Sequence, residues 1–212
     1  MLISYDHEFI FIHVYKVAGV SIKNALQKYS HDPSKLLINR SQRKLGINSN
    51  LPYYKYKTFS PHINARLLRK ELPKKVYNNF YKFAFVRNPW DWQVSLYSFM
   101  LKSKSHRQHE IIKSMRSFDD YLKWRVNGNK RFQKDFVTDD DGNLIVDFVG
   151  KFESIEEDFK YICKNLKIND SLPHMNKSPH KDYRAYYNCK TKKIIEDHFK
   201  EDIEFFGYKF DS

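Results

Sequence analysis

The apolar positions of the chain follow two alternating patterns. Short runs rich in β-branched and aromatic residues at 8–14 (EFIFIHV) and 82–86 (KFAFV) predict buried strands. Each run is followed by a stretch with helical spacing of its apolar residues, at 20–29 and 90–104, and Pro89 suits the first turn of the second helix. A strand, a loop and a helix therefore occur twice in the same order.

The remaining patterns add helices and shorter strands. Four further helices are predicted: 63–72 before Pro73, 117–126, 154–166, and an interrupted helix at 191–206 before Gly207. Capping boxes are expected at Ser117 with Asp120 and at Ser154 with Glu157. The turn DDDG predicts a β-hairpin. The other expected features are a short strand at 58–60, a strand at 146–151 and a basic loop at 177–188, while 105–116 stays unassigned.

Strands that alternate with helices predict an α/β fold with a partly parallel sheet. The 212 residues fit one domain, 1–212, and the hydrophobic content of 41% supports a sizeable core. We expect Cys163 and Cys189 to be free thiols in a reducing compartment, with Cys163 packed as a small apolar residue. Neither a leader peptide nor a membrane span is predicted, because the apolar runs are short.

The net charge of +13 is compatible with several kinds of binding partner. It favours a polyanion such as nucleic acid, a membrane surface, a nucleotide or an acidic polysaccharide. A lysine-rich, solvated surface explains the same number, because net charge does not locate the charges.

The loop after the first strand has the residues of an anion-binding site. In IHVYKVAGVS (12–21), Lys16 supplies a positive charge, Gly19 removes a side chain where a ligand approaches, and Ser21 adds a hydroxyl in the first helical turn. Helix N–H groups and the helix dipole also favour an anion at this sheet edge. The pattern GxxxxGK[ST] of the common phosphate loop is absent. Taken alone, the stretch is better explained as a strand-to-helix turn with a solvated lysine.

A second candidate anion site lies in FAFVRNPWDWQVSLYSF (83–99). Arg87 ends a buried strand and Ser95 lies on the following helix. If the two strands are parallel, Arg87 lies at the same sheet edge as Lys16, where its guanidinium and the Ser95 hydroxyl suit a phosphate. The alternative is an ion pair between Arg87 and Asp91 with no ligand. Two anion sites on neighbouring strand ends suggest one ligand with two separated anionic groups.

These stretches resemble the sulfotransferase family. FIHVYKVAGVSI is similar to the family's 5′-phosphosulfate loop FIHIPKTGGTSI, and FAFVRNPWDWQVSLY to its 3′-phosphate motif, an RNP with a serine eight residues after the arginine. The resemblance is to the carbohydrate-type branch, which includes glycosaminoglycan sulfotransferases, and it continues through VDFVGKFESIEEDF, LPHMNKSPHKDYRAYY and DIEFFGYKF. In the first loop, Tyr15 replaces the usual Pro, Val17 and Val20 replace Thr, and Ala18 replaces the first Gly.

The resemblance implies a P-loop-like three-layer fold, with a central, mainly parallel sheet flanked by helices. It also implies the cofactor 3′-phosphoadenosine-5′-phosphosulfate (PAPS), the product 3′,5′-adenosine bisphosphate (PAP), and metal-independent in-line transfer. The phosphosulfate would be held by residues of the first loop: Lys16, Ala18, Gly19, Val20 and Ser21. Arg87 and Ser95 would hold the 3′-phosphate. Lys177 and Ser178 of the late basic loop are further cofactor-binding candidates, while the alternatives for this loop are contact with an acidic acceptor or a solvated surface. Phe152 and Glu153 follow the predicted strand 146–151 and are candidates to border the adenine, although an aromatic residue near a strand end is more often part of the core.

Transfer to a hydroxyl also needs a general base, for which His62 is the candidate. It opens a predicted helix after a possible strand, and a histidine can accept a proton near neutral pH. A surface or helix-capping histidine is the alternative interpretation. His13, His174 and His180 are weaker candidates.

The leading hypothesis is therefore a PAPS-dependent sulfotransferase acting on a carbohydrate hydroxyl, in the cytoplasm and without nucleic acid. One alternative is an inactive nucleotide- or glycan-binding relative, suggested by the altered first loop. Another is a basic nucleic-acid-binding protein, although no helix-turn-helix, zinc or RNP pattern is present. A nucleotide kinase would need the phosphate loop that the sequence lacks.

Overall fold

A four-stranded mixed sheet forms the centre of the molecule. The computed structural model describes residues 1–30, 58–128, 131–173 and 181–211. The sheet has the order β1-β2-β3-β4, with β1 antiparallel to β2 and the other two pairs parallel. The strands are β1 (Leu2–Ser4), β2 (Phe9–Ile12), β3 (Tyr81–Val86) and β4 (Phe148–Lys151). The predicted α/β class with a mainly parallel sheet is confirmed.

Helices follow the parallel strands and pack around the sheet. In the described ranges they are α1 (Gly19–Leu26), α2 (Ala65–Glu71), α3 (Lys74–Asn79), α4 (Pro89–Lys102), α5 (His109–Lys113), α6 (Phe118–Asn127), α7 (Ile155–Asn165), α8 (Cys189–His198) and α9 (Lys200–Phe206). Short 3₁₀ turns lie at Gln27–Tyr29, Lys134–Phe136, Phe152–Ser154 and Tyr183–Tyr186. No helix in these ranges is long and apolar enough to cross a membrane.

The alternation of side chains along each strand produces two cores, one on each face of the sheet. Phe9, Phe11, Phe83 and Phe85 pack with α1 and α7 on one face. Ile10, Ile12 and Ala84 pack with α2 and α3 on the other. The result is three layers, helix, sheet and helix. Free Cys163 is buried in the first core, as predicted, and free Cys189 is exposed.

A third core holds the helix that follows β3. Trp92 and Tyr121, from α4 and α6, are fully buried in it together with Phe199 at the α8–α9 junction. The predicted interruption of the last helix is confirmed, since α8 ends at His198 and α9 begins at Lys200. Gly207 ends α9 in the left-handed conformation, at φ 66°, as a C-terminal glycine commonly does.

Several local predictions are wrong. Residues 58–60 form no strand, and Pro73 begins a second helix, α3, in addition to ending the first. The DDDG turn exists, but its hairpin is reduced to one bridge between Thr138 and Leu144, and β4 pairs in parallel with β3 instead.

The two expected capping boxes differ in outcome. The Ser117 hydroxyl accepts the Asp120 N–H at the start of α6, so Ser117 caps the helix as predicted, but the return bond of a capping box is not among the hydrogen bonds of the described residues. At the start of α7, the Ser154 hydroxyl donates to the carboxylate of Asp158 at 2.8 Å and accepts no helical N–H. The capping box predicted for Ser154 and Glu157 is therefore wrong, because Asp158 takes the hydroxyl.

Candidate functional site

The loop between β2 and α1 presents unpaired amide groups to one edge of the sheet. Lys16 and Ala18 both adopt left-handed backbone conformations, with φ of 64° and 59°. The first hydrogen bond within the helix runs from the Ile22 N–H to the Ala18 carbonyl at 3.2 Å. The N–H groups of the three preceding residues, 19–21, therefore have no partner within the helix. The first turn of α1 contains no acidic residue. The sequence therefore forms a helix N-terminus suited to an anion.

Gly19 is required here by a neighbouring side chain. A Cβ atom added at Gly19 would lie 1.8 Å from Nε2 of His13, far closer than any van der Waals contact. From the sequence we predicted that Gly19 leaves space for an approaching ligand, but in the structure the imidazole of His13 occupies that space. Burial, with neighbouring positive charges including His62, lowers the pKa of His13 to about 3. His13 is consequently neutral at physiological pH.

Lys16 extends its ammonium group toward α4. Its Nζ lies 4.2 Å from the ring centroid of Phe99, a cation–π contact. Burial, reinforced by the positive charge of Arg87, lowers the pKa of Lys16 to about 8. The ammonium form is thus less favourable than in water, and an anion placed beside it would restore that form.

Arg87 joins the two predicted anion sites. Its Nε donates to the carboxylate of Asp91 at 2.7 Å, so the ion pair considered as the alternative does form. Its Nη1 also donates to the carbonyl of Lys16 at 3.3 Å, and the guanidinium lies 3.9 Å from the ring centroid of Phe152. These contacts use two of the five N–H donors of arginine. The strands β2 and β3 are parallel, as the shared sheet edge required.

The backbone of Arg87 is fixed by a residue that the sequence analysis missed. The side-chain amide of Gln133 accepts the Arg87 N–H at 2.9 Å and donates to the Arg87 carbonyl at 2.7 Å. Asp202 in turn accepts the backbone N–H groups of Gln133 and Lys134, and burial raises the pKa of Asp202 to about 7. Nothing in the local sequence marks Gln133, because its partner lies 46 residues away.

Ser95 is a buried hydroxyl in the second turn of α4. It is 1% exposed, and its Oγ forms no hydrogen bond within the described part of the chain. A buried hydroxyl without a hydrogen-bond partner is unfavourable, so a bound ligand is expected to provide the missing partner. Phe99, the neighbour of Lys16, lies one turn further along the same helix face.

His62 lies in the turn before α2, exposed and next to the first loop. Its Nδ1 is 2.9 Å from the backbone carbonyl of His13, and the two imidazole centroids are 4.5 Å apart. A carbonyl oxygen only accepts hydrogen bonds, so Nδ1 carries the hydrogen and the neutral ring has its lone pair on Nε2. The structure thus places His62 against His13 of the first loop, and His62 and Lys16 line the same cavity.

A cavity of about 510 Å³ opens between the first loop and α4. Lys16 and His62 lie on its wall, together with Phe99 and Trp124. Phe152, expected at the adenine, contacts Arg87, and Glu153 accepts the Asn88 N–H and the Tyr208 hydroxyl. The predictions for His174, Lys177, Ser178 and His180 lie outside the described residues.

Comparison with known proteins relates the whole chain to one family. A family-level sequence profile described as "Sulfotransferase family" matches residues 1–209. The chain is 25% identical over 206 residues to carbohydrate sulfotransferase 11 of Danio rerio, covering 81% of this chain and 54% of that protein. An uncharacterized protein of Archaeoglobus fulgidus is 27% identical over 111 residues, 51% of this chain and 85% of that protein. The chain spans about half the length of the curated carbohydrate sulfotransferases that it matches.

The fold is also similar to a solved structure. The crystal structure of mouse sulfotransferase SULT7A1 complexed with PAP superimposes with a TM-score of 0.53 at 16% identity. The match covers 94% of this chain and 85% of the mouse chain. This likeness confirms the predicted architecture of a central sheet between helical layers.

Proposed function

The chain belongs to the sulfotransferase family, and from this premise we propose that it transfers the sulfuryl group of PAPS to a hydroxyl of a carbohydrate acceptor. The observation that carries the proposal is the hydrogen bond from Arg87 to the carbonyl of Lys16. This hydrogen bond brings the anion sites of two separate sequence motifs together at one edge of the sheet. A nucleotide with an anionic group at each end needs two such sites close together.

The residues of the site fit the two ends of this cofactor. The backbone N–H groups of Gly19, Val20 and Ser21 come before the first hydrogen bond within the helix, so they are available to the phosphosulfate. The left-handed backbone of Ala18 connects the loop to the start of the helix. Arg87 has N–H donors beyond those used by Asp91 and Lys16. The Ser95 hydroxyl is buried without a partner. This unpaired donor supports a 3′-phosphate beside Arg87.

The protein groups have separate roles in the transfer. When bound, PAPS supplies the sulfuryl group, and PAP is the leaving product. The ammonium of Lys16 and the helix amides neutralise charge on the departing phosphate. Nε2 of His62 accepts the proton of the acceptor hydroxyl, because the carbonyl of His13 holds the hydrogen on Nδ1. None of these roles requires a metal ion, and we propose that the transfer is metal-independent.

The carbohydrate acceptor is supported by the named relatives. The proteins called carbohydrate sulfotransferase 11 in Danio rerio and Rattus norvegicus match 81% of this chain. The aromatic rings of Phe99 and Trp124 line the cavity beside His62, and flat aromatic surfaces suit the C–H faces of sugar rings. Cytoplasmic location is part of the same proposal.

Binding of PAP tests the nucleotide site directly. Isothermal titration is expected to show one site in the wild type. Loss of charge-assisted hydrogen bonds should weaken binding about 100-fold in Arg87→Ala and about 10-fold in Ser95→Ala. Ser95→Ala removes no existing hydrogen bond, so it tests the site without disturbing the Asp91 ion pair. Arg69→Ala, an exposed change on α2, is the control. Absence of PAP binding in the wild type would refute the proposal.

Transfer of radiolabelled sulfate from PAPS to a panel of oligosaccharides then tests turnover. His62→Ala should lower the rate at least about 100-fold, as removal of a general base does, and leave PAP affinity unchanged. Near-normal turnover in this variant would exclude His62 as the base.

An inactive nucleotide-binding relative is the second candidate. It is favoured by Val20, which is 68% exposed in the first turn of α1 and offers no hydroxyl to the ligand. This candidate predicts tight PAP binding and no transfer to any acceptor in the panel.

A further inference from the structure

The ammonium group of Lys16 is held by an aromatic ring and not by an acidic side chain. Its Nζ lies 4.2 Å from the ring centroid of Phe99, well within the range of a cation–π contact. Among the described residues, Lys16 forms no ion pair with a carboxylate, and the charge that acts on it is the positive charge of Arg87. The Phe99 ring is therefore the partner that the structure gives to this ammonium.

An aromatic partner suits a lysine that has to meet an anion. The lysine side chain is a flexible four-carbon stem, which loses rotamer entropy when it is fixed in one position. A carboxylate would fix the ammonium, but it would also neutralise the charge and compete with an anionic ligand. The face of an aromatic ring attracts a cation through its quadrupole and carries no net charge. Phe99 thus fixes the ammonium and leaves its positive charge to a ligand.

The Phe99 ring is itself oriented by the turn that follows α4. The imidazole of His106 packs against it in a T-shaped geometry, with ring centroids 5.7 Å apart and planes at 80°. The backbone N–H of Gln108 donates to Nδ1 of His106 at 3.2 Å, so the imidazole is anchored as well. The carbonyl of Phe99 accepts the N–H of Ser103 at 2.9 Å. The ring is therefore held in place although Phe99 is 40% exposed.

Phe99 also brings the ammonium to the helix that carries the second anion site. Ser95, whose buried hydroxyl has no partner among the described residues, lies four residues earlier on α4, and residues at this spacing share a helix face. Lys16 and Phe99 line the same cavity. Phe99 lies two residues beyond the stretch 83–97 that resembles the family motif, so the resemblance assigns it no role.

The surroundings of Lys16 make this contact important for its charge. Burial, together with the neighbouring Arg87, lowers the pKa of Lys16 to about 8. The face of an aromatic ring favours the charged form of lysine, and this attraction is stronger where water is excluded. Without the ring, the same burial and the same arginine would disfavour the ammonium further.

We propose, on the basis of the proposed function, that Phe99 is a positioning residue for Lys16. Its ring holds the ammonium where it meets the phosphosulfate end of the nucleotide, and the cation–π contact persists when the nucleotide is bound. His106 supports this role by orienting the ring.

Nuclear magnetic resonance tests the contact in the ligand-free protein, with all lysines labelled with ¹³C at Cε. Protons over the face of an aromatic ring resonate upfield, so the Cε protons of Lys16 should be shifted upfield from those of other lysines. Lys16→Met assigns this signal by its absence. The upfield shift should disappear in Phe99→Leu and be retained in Phe99→Trp. It should also remain when the wild type is saturated with PAP.

Fluorinated phenylalanines at position 99 test what the contact contributes to binding. Each added fluorine weakens the negative face of the ring and nearly preserves its size, so the cation–π attraction falls stepwise. Titration with PAP should show affinities that fall stepwise from the mono- to the trifluoro form, by about 5-fold in total. The same series in Lys16→Met, which lacks the cation, should show one constant affinity, a result that a merely structural role of the ring would not give.

Phe205 is the matched control for the fluorinated series. It is 41% exposed, packs against Phe206 and is not part of the cavity wall. Trifluorophenylalanine at position 205 should therefore leave PAP affinity within 2-fold of wild type.

Three results would overturn the inference: no upfield-shifted lysine signal in the wild type, loss of that signal on saturation with PAP, or equal PAP affinities across the fluorinated series at position 99. Failure of the wild type to bind PAP would instead refute the proposed function. The lysine signal of the ligand-free protein is measured without PAP, so the two failures are distinguishable.

Discussion

At the scale of single residues, the first loop places two side chains in a backbone conformation that favours glycine. Lys16 and Ala18 have φ values near +60°, where a Cβ atom crowds the backbone. The resemblance predicted a glycine at position 18, and the structure shows why, because Ala18 is the left-handed residue that precedes α1. Val17, which replaces a threonine of the motif, is fully buried in the core beside the sheet.

Ala18→Gly is therefore expected to stabilise the protein. Relief of the left-handed strain, less the greater flexibility of glycine in the unfolded chain, should raise the free energy of unfolding by about 0.5–1 kcal/mol. Urea denaturation measures the change, with Ala25→Gly in the interior of α1 as the control that should destabilise. A loss of stability in Ala18→Gly would contradict the assigned conformation.

Lys16 predicts a pH dependence of nucleotide binding. Its pKa of about 8 in the free protein should rise when a phosphate lies beside it, so binding takes up a proton above pH 8. The affinity for PAP should thus fall about 2-fold between pH 7 and 8, and by up to about 10-fold per unit at higher pH. Titration at pH 7, 8 and 9 checks this. Lys16→Met should bind weakly at every pH, without the decline, and a flat wild-type profile would refute the role.

At the scale of elements, a chain of hydrogen bonds holds the end of β3. Asp202 of α9 fixes the backbone of Gln133, and Gln133 pairs with both backbone groups of Arg87. All three residues are at most 5% exposed. Three segments distant in sequence therefore determine where the guanidinium of Arg87 points.

Gln133→Leu removes the middle of this chain. Two buried backbone groups of Arg87 would lose their partners, so we expect a loss of about 2 kcal/mol in the free energy of unfolding. The affinity for PAP should also fall several-fold, because Arg87 would be less well positioned. Urea denaturation and titration measure the two effects, with the exposed change Gln27→Leu at the end of α1 as control. Unchanged PAP affinity would show that Gln133 is purely structural.

The elements that carry the site were largely predictable from the sequence. Buried strands β2 and β3 and the helices after them have apolar patterns long enough to identify, and Lys16 and Arg87 follow from their positions at the strand ends. Strand β1 was missed because three residues carry no periodicity. Helix α3 was missed because Pro73 was taken only as a stop, although proline also suits a helix start.

Contacts between distant segments could not be predicted. The hydrogen bond from the Trp92 indole to the carbonyl of Tyr15 joins residues 77 positions apart, and no local pattern encodes it. The same holds for the role of Gly19, which depends on the direction of the His13 ring. Sequence patterns specify faces and ends of elements, whereas such contacts depend on how the elements pack.

At the scale of the whole molecule, the nucleotide site connects separate parts of the fold. Its residues come from the first loop, the end of β3 and helix α4, so a ligand there binds the native state and not the unfolded chain. PAP at 100 times its dissociation constant should stabilise the protein by about 2.7 kcal/mol. For a chain of this size the melting temperature should rise by about 5–10 °C.

Differential scanning calorimetry with and without PAP measures this shift. Ser95→Ala at the same PAP concentration should show a smaller rise from a similar starting temperature, because its binding is weaker while its fold is intact. A rise of equal size in both proteins would place the bound nucleotide away from Ser95.

The contact between Gly19 and His13 restricts how the chain can change over evolution. Any side chain at position 19 collides with the imidazole, so a mutation there is accepted only after His13 has been replaced by a smaller residue. The reverse order is open, since a smaller residue at 13 leaves Gly19 undisturbed. Yet the carbonyl that orients His62 belongs to the same residue, His13, so a backbone shift at position 13 would also move the proposed base. The two positions are thus expected to covary among homologous sequences, and substitutions at 13 should precede those at 19 in any lineage where both occur.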